Sequence, residues 1–320
     1  MNTHPTFDTS LYGKIALSQA HRLLGFGDRE SDSKTYGCFD RYYWHYRQTD
    51  FVNARFQEVC HFLACLYQYH CPENQFYKNN CIREWAIAAM QFWEQLQRKD
   101  GSFDEYWPFE RSFVATAFSL AAVAETCRLL SCPPPVDAMQ KACQWLSLHD
   151  NTLVLNQMAG ASLALATCGA VLQEEQWLQK AAEKMQCLLS HQSPDGYFEE
   201  YGGYDIGYLT INLSYLARYA RLTQNHRVRD AAFCAFRFLD DKIRENGTYD
   251  YHQTSRKTQY FYPYGFFAFE QWDLLARHRH GLANNEALNP AWMDDRYCLP
   301  LTIDYLMTAM QNSDPEVNHE

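Results

Sequence analysis

Four stretches of this 320-residue chain gather side chains that can hold a polar ligand and move protons. The first, from Gly37, supplies Asp40, Arg41, Tyr43, Trp44, His45 and Tyr46, with Arg55 following at the head of the next apolar pattern. The second, from Gly101, supplies Asp104, Glu105, Tyr106, Trp107 and Arg111. The third, from Gly196, supplies Glu199, Glu200, Tyr201, Tyr204, Asp205 and Tyr208, and the fourth, from Gly247, supplies His252, Arg256, Tyr260, Tyr262 and Tyr264. Aromatic faces stack on sugar rings, carboxylates and guanidinium groups bond hydroxyls and anionic substituents, and His or Tyr transfers protons. The same enrichment in aromatics and arginine suits an oligomer interface, which is the plainer use of such a surface.

The stretches share one template: a glycine, an aromatic two residues later, then an acid. Asp100, Asp195 and Asn246 precede three of the glycines, as expected for a turn that needs a left-handed residue, with the aromatic tucked beneath it as an anchor. Of the 50 aromatic residues, 19 fall within the 46 positions 37–46, 101–109, 196–204 and 247–264, so the excess belongs to the loops rather than to the body.

Elements must hold these loops, and the apolar spacing says they are helices. Residues recur three and four apart over 15–24, 51–69, 82–96, 113–130, 136–148, 153–172, 177–189, 209–222, 228–243, 266–276 and 299–310, while extended alternation is almost absent. The acid or amide positions before the glycines are 95 and 51 apart, with Asp150-Asn151 between the first two as a degenerate copy. A period near 50 residues reads as a helical-hairpin repeat. Helices 113–124 and 153–172 are nearly uncharged, whereas 136–148 and 177–189 carry Lys141, Lys180, Glu183 and Lys184. Alternating inner and outer walls predict an all-α (α/α) toroid over 35–310, preceded by an N-terminal segment and first helix in 1–34 and followed by a disordered acidic tail at 311–320. In a ring every loop before an inner helix faces one cavity.

Composition narrows the function. With 28 basic against 38 acidic residues the net charge is −10, and no Lys/Arg block is dense enough to neutralise a run of phosphates, so a nucleic-acid partner is not expected. Leu153 to Leu172 runs without a charge, yet its Asn156, Gln157 and Thr167 would be stranded in lipid; a buried helix is expected, with no membrane span. The polar N-terminus shows no export pattern, and the 12 cysteines contain no C-x-x-C pair, which suggests a cytoplasmic protein with core thiols. No His or Cys spacing marks a metal, and nothing implies a cofactor.

The D-G-x-F loops, the uncharged helix opening on Asn156-Gln157, and the run Tyr201-Gly202-Gly203-Tyr204-Asp205-Ile206-Gly207-Tyr208 before a helix resemble the toroid of heparinase II/III-type polysaccharide lyases and related uronate-acting enzymes, over about residues 35–275. The resemblance implies that Asn156 binds a uronate carboxylate, that His45 or His252 takes the neighbouring proton, that Tyr204 or Tyr208 protonates the departing oxygen, and that Arg111 and Arg256 bind anionic substituents. Asp40, Arg41, Trp44, Arg55, Asp104, Tyr106, Trp107, Arg111, Glu199, Tyr201, Asp205, Arg256, Tyr260 and Tyr262 make up the expected substrate-binding set for an oligosaccharide or polysaccharide. Such lyases carry a β-sandwich after the toroid and are exported; a cytoplasmic toroid suits a uronyl epimerase, which shares the first proton abstraction. Two other readings compete. Asp104 or Glu105 with Glu199 or Asp205 could serve as the acid and base of a hydrolase. A noncatalytic glycan or protein binder, or a homo-oligomer surface, needs no proton transfer at all. The acidic run Asp240 to Glu245 is read as a solvated helix end.

Overall fold

The computed structural model describes residues 7–312. Among these residues there are fourteen α-helices and no strand, only three isolated bridges. The helices are α1 (Ser10–Ser18), α2 (Ala20–Leu24), α3 (Arg41–Trp44), α4 (Val59–Gln68), α5 (Asn80–Leu96), α6 (Phe113–Leu130), α7 (Val136–Leu148), α8 (Leu155–Leu172), α9 (Glu175–Ser190), α10 (Ile206–Thr223), α11 (His226–Asp240), α12 (Tyr264–Ala268), α13 (Trp272–Ala283) and α14 (Asp295–Met310). The expected acidic tail lies outside the described residues from 313 onward; Gln311 and Asn312 are described, and the Asn312 amide donates to Thr9 Oγ1 at 3.1 Å.

Pairwise packing alternates along the chain. Helix α4 packs on α6, α6 on α8, α8 on α10, α10 on α12, α12 on α14, and α14 back on α4. The helices between them, α5, α7, α9, α11 and α13, each pack on the helix that precedes them, and α1 takes the same place beside α14. The two sets differ as their sequences require. In α6 and α8 the buried residues run round the whole helix, whereas α9 and α11 bury one stripe and leave the rest to water. Helices α6 and α8 are long and apolar enough to cross a membrane, but 72% and 78% of those windows are buried against other helices, as in a core.

Residues 10–24 do not stand apart as a separate segment. Tyr12, fully buried, places its hydroxyl 3.1 Å from His278 Nδ1 in α13, and Arg22 pairs with Asp295 of α14 at 2.8 Å. The apolar run expected as one helix over 266–276 is divided between α12 and α13, because Glu270 adopts φ +59 and closes the first. The run over 51–69 opens as a 3-10 turn at Ala54–Glu58 before α4 begins.

The repeat loops are built alike. Gly37, Gly101, Gly196 and Gly247 have φ of +86, +96, +102 and +69, and a Cβ on any of them would collide with backbone of the outer helix ahead: at Ala88 in α5, Lys141 in α7, Cys234 in α11 and His278 in α13. The aromatics that follow, Phe39, Phe103, Phe198 and Tyr249, are buried. A glutamine absent from the sequence reading completes two copies. Gln97 donates from Nε2 to the Gly101 and Ala138 carbonyls, and Gln192 does the same to Gly196 and Ala231. Gln57 clips the first loop in the same way, donating to the Gly37 and Ala89 carbonyls, so three of the four loops are tied by a glutamine to the next outer helix.

Candidate functional site

A cavity of about 190 Å³ opens where the loops meet the N-terminal ends of α6, α8, α10 and α14. Its wall carries three guanidinium groups, Arg55, Arg256 and Arg296, and one carboxylate, Glu105. Six tyrosines line it with them: Tyr106, Tyr201, Tyr208, Tyr215, Tyr262 and Tyr297. Asn156 and Gln157 face it from the first turn of α8.

The charged groups are tied to one another. Arg55, whose side chain is 10% exposed, bonds Glu58 through Nε and lies with Nη1 3.8 Å from Glu105 Oε1, its guanidinium 4.7 Å from the Phe118 ring centre. Arg296 pairs with the same Glu105 oxygen and spreads over the rings of Tyr106 and Tyr297 at 4.8 and 4.7 Å. Arg256 differs: among the described residues it makes no ion pair, its guanidinium lying 4.3 Å over the Tyr201 ring on the wall it shares with Tyr208. Tyr260, behind the wall, meets the Tyr208 ring edge to face at 5.9 Å and is stacked on Tyr297 at 5.9 Å. Burial pushes the Tyr208 phenol above its ordinary pKa, against the opposing pull of Tyr260 and Arg256, so it is protonated at neutral pH. Burial likewise raises Tyr201, and Tyr106 is pushed up to about 12.

Asn156, 2% exposed, is held from beneath by Glu200, whose side chain the fold buries completely. Glu200 Oε1 accepts the Asn156 backbone N–H at 2.7 Å and Oε2 accepts Nδ2 at 2.8 Å. Burial pushes Glu200 up to about 8, with the two Asn156 bonds opposing and Asp205 adding to the rise.

Under the cavity, sharing Phe118, Ile211, Tyr215, Tyr262 and Pro300 with it, is a smaller void of about 30 Å³ lined by Glu58, His61, Arg218 and Asp304. Arg218 pairs with Glu125 at 2.5 Å, and His61 Nε2 lies 3.2 Å from the same carboxylate. Burial lowers His61 to about 4, so it is neutral at pH 7. Asp304, raised to about 6 by burial, accepts bonds from Ser214 Oγ and from Tyr264 N.

Of the residues expected from sequence, the structure brings Arg55, Tyr106, Asn156, Tyr201, Tyr208, Arg256 and Tyr262 to the cavity. Glu105, one of the two carboxylates offered from the second loop, also lines it, but Asp40, Asp104, Glu199 and Asp205 do not. Asp40 caps α3 and also accepts from Asn53 N; Asp104 pairs with Arg98 and accepts from Phe109 N and Arg111 N. Asp205 caps α10 and receives Thr254, Thr258 and the Arg256 N–H. These acids hold the loops in shape, since a turn leaves N–H groups that nothing else satisfies. Glu199 is exposed.

The expected bases are also elsewhere. His45 is exposed between the rings of Trp44 and Tyr46, and His252 is exposed against Tyr251. Tyr204 packs on Tyr197 and on Phe238 of α11, facing away from the cavity wall. Trp44 donates its indole N–H to Phe26 O, Arg41 covers Tyr46, and Arg111 pairs with Asp100 in water. Trp107, 62% exposed, is tilted against Tyr106 at 5.9 Å. Arg296 and Tyr297 are not among the expected residues, and Glu200, named in the third stretch, is given no role there. The first two follow Asp294-Asp295 at the head of α14 with no glycine template before them, although the acid-Arg-Tyr order repeats that of Asp40-Arg41-Tyr42.

No protein-family profile matches the chain, and no curated protein matches its sequence.

Proposed function

We propose that this cavity binds an anionic sugar, a hexuronate unit of an oligosaccharide or polysaccharide, and moves the proton on the carbon next to its carboxylate, as a lyase or an epimerase does. The observation that carries this reading is the charge of the cavity wall: three guanidinium groups against one carboxylate, in a chain whose net charge is −10. The sign of that wall is opposite to the chain's net charge, which favours an anion there. The volume, about 190 Å³, lies below the ~300 Å³ of common ligand pockets and suits one ring rather than several. We read the alternating helix pairs as an (α/α) toroid, with α1 as the outer partner of α14.

The chemistry follows from the wall. A proton beside a carboxylate is weakly acidic until that charge is neutralised, and Arg256, free of any carboxylate partner among the described residues, supplies the guanidinium, with the Asn156 amide on the same wall. In elimination the C–H bond breaks, its electrons form the double bond, and the C–O bond to the next sugar opens, its oxygen taking a proton from Tyr208. In epimerisation the carbanion regains a proton on the other face. The bases expected at His45 and His252 do not line the wall, so the proton passes to Glu105, the carboxylate among the lining residues. Hydrolysis by two carboxylates is the weaker reading, because the wall offers Glu105 alone. Calorimetric titration with glucuronate, galacturonate and mannuronate beside the matching neutral hexoses tests the reading. Binding of at least one uronate and of none of the neutral sugars is expected; preference for a neutral sugar contradicts it.

A further inference from the structure

We propose that Glu200 is the positioning residue that decides which face of the Asn156 side-chain amide meets the cavity, and so whether that amide offers one or two N–H donors to an anion. The proposal deepens the uronate reading, but its first half is a statement about this chain alone.

The geometry is restrictive. Glu200 is fully buried, its Oε1 is committed to the Asn156 backbone N–H at 2.7 Å, and only Oε2 is left for the side chain, 2.8 Å from Nδ2. Its own backbone is fixed too. The Glu200 N–H donates to Gly203 O at 2.7 Å, and its carbonyl accepts from Ser255 Oγ at 2.5 Å, next to Arg256. The carboxyl group therefore cannot swing away; only its proton can change. As a carboxylate, Oε2 accepts from Nδ2, and the amide turns its oxygen toward the cavity, where it repels an anion. With a proton on Oε2 the hydroxyl donates to Asn156 Oδ1, the amide rotates by half a turn, and both Nδ2 hydrogens are released to the cavity.

The surroundings set the balance. Facing Glu200 are Asp205 at the head of α10, which opposes ionisation, and the N-terminus of α8, whose free N–H favours it. Tyr201, next in the chain, and Arg256, lying over the Tyr201 ring, are the remaining titratable and charged groups on that side. Burial dominates and moves Glu200 to about 8, so the protonated, anion-binding arrangement prevails at neutral pH, whereas the 2.8 Å Nδ2–Oε2 contact is the geometry of the ionised form.

Glu200→Gln separates the outcomes. Its Oε1 keeps the backbone bond and its Nε2 donates to Asn156 Oδ1, which reproduces the protonated state permanently. In nitrogen-15 correlation spectra of the full chain, the Asn156 side-chain signals, assigned by their loss in Asn156→Ser, are expected to shift between about pH 6 and about pH 9.5 with a midpoint near 8, and to stay still in Glu200→Gln. Unchanged Asn156 signals in the wild type over that range, or equal movement in the variant, overturn the proposal. For the wild type, affinity for the uronate that binds is expected to fall about tenfold from about pH 7 to about pH 9 and to hold in Glu200→Gln. If the amide signals titrate but no uronate binds at any pH, the positioning role stands and the uronate reading falls. If uronate binds with the same pH dependence in both proteins, the positioning role falls and the uronate reading stands.

Discussion

In the proposed uronate site, recognition turns on Arg256, because it reaches the cavity with its charge unclaimed by any carboxylate among the described residues, whereas Arg55 and Arg296 share Glu105. Truncation by Arg256→Ala is expected to weaken uronate binding by about 10- to 100-fold, the ~1.5–3 kcal/mol of a charge-assisted hydrogen bond, with little change in thermal stability. Arg256→Lys is expected to restore only part of it, since an ammonium cannot lie flat on Tyr201 while meeting a carboxylate in two places. Titration calorimetry on the two variants reads both effects. Residue types told part of this in advance. Arg256, Tyr208 and Asn156 are visible in the repeat motifs, but the acids beside them looked equally chemical and proved to be turn and helix caps. A carboxylate that ends a helix and one that meets a substrate are the same letter; which N–H groups it satisfies is decided only when the loop closes. Glu200 is visible in the third stretch, but nothing in the sequence separates its buried, amide-holding role from that of the exposed Glu199 one position before it.

At the scale of elements, the glycine template marks where a loop is pressed onto the backbone of an outer helix. Gly101 and Gly202 separate the two costs such a residue can carry. Both have positive φ, +96 and +82, but a Cβ at Gly101 would strike the Lys141 carbonyl while one at Gly202 meets nothing within 4 Å. Gly202→Ala is expected to cost about 1–2 kcal/mol from the backbone alone, and Gly101→Ala about 3 kcal/mol or more, because α7 must also give way. Denaturant unfolding of both variants measures the difference; equal losses contradict the clipped-loop account. Helical periodicity located the elements well, since a buried or half-buried helix writes its spacing directly into the sequence. It failed where continuity of apolar residues hides a break. Nothing in the run over 266–276 announces that Glu270 takes a left-handed backbone and splits α12 from α13, and the place of α1 beside α14 is a contact between the two ends of the described chain.

For the molecule as a whole, buried ionisable groups set the acid limit. His61, lowered to about 4, and His278, lowered to about 3 by burial beside Tyr12, are neutral in the folded protein but titrate near 6.5 when unfolded. The unfolded chain then binds more protons between those values, so both groups withdraw stability as pH falls from about 6.5 through about 4. Glu125 adds to the loss at the acid end: burial would raise it, but Arg218 and His61 hold it below its ordinary value, and that stabilisation disappears as it protonates. Glu200 and Asp304, raised to about 8 and about 6, act in the opposite direction, withdrawing stability as pH rises from about 4.5 to about 8. Thermal unfolding followed across pH is therefore expected to show a broad maximum, with a steeper fall on the acid side that Glu200→Gln leaves unchanged while it lifts the alkaline side.

The proposed uronate chemistry rests on one event, the loss of the proton next to a bound carboxylate. Incubation of the wild-type protein with uronate oligosaccharides in deuterium oxide, analysed by mass and by proton resonance, records that event whether elimination or epimerisation follows. The account predicts deuterium at that carbon, or unsaturated sugar ends formed at its expense, and loss of both in Arg256→Ala. Release of new reducing ends from a neutral glycan, with the uronates recovered free of deuterium and still saturated, would contradict it.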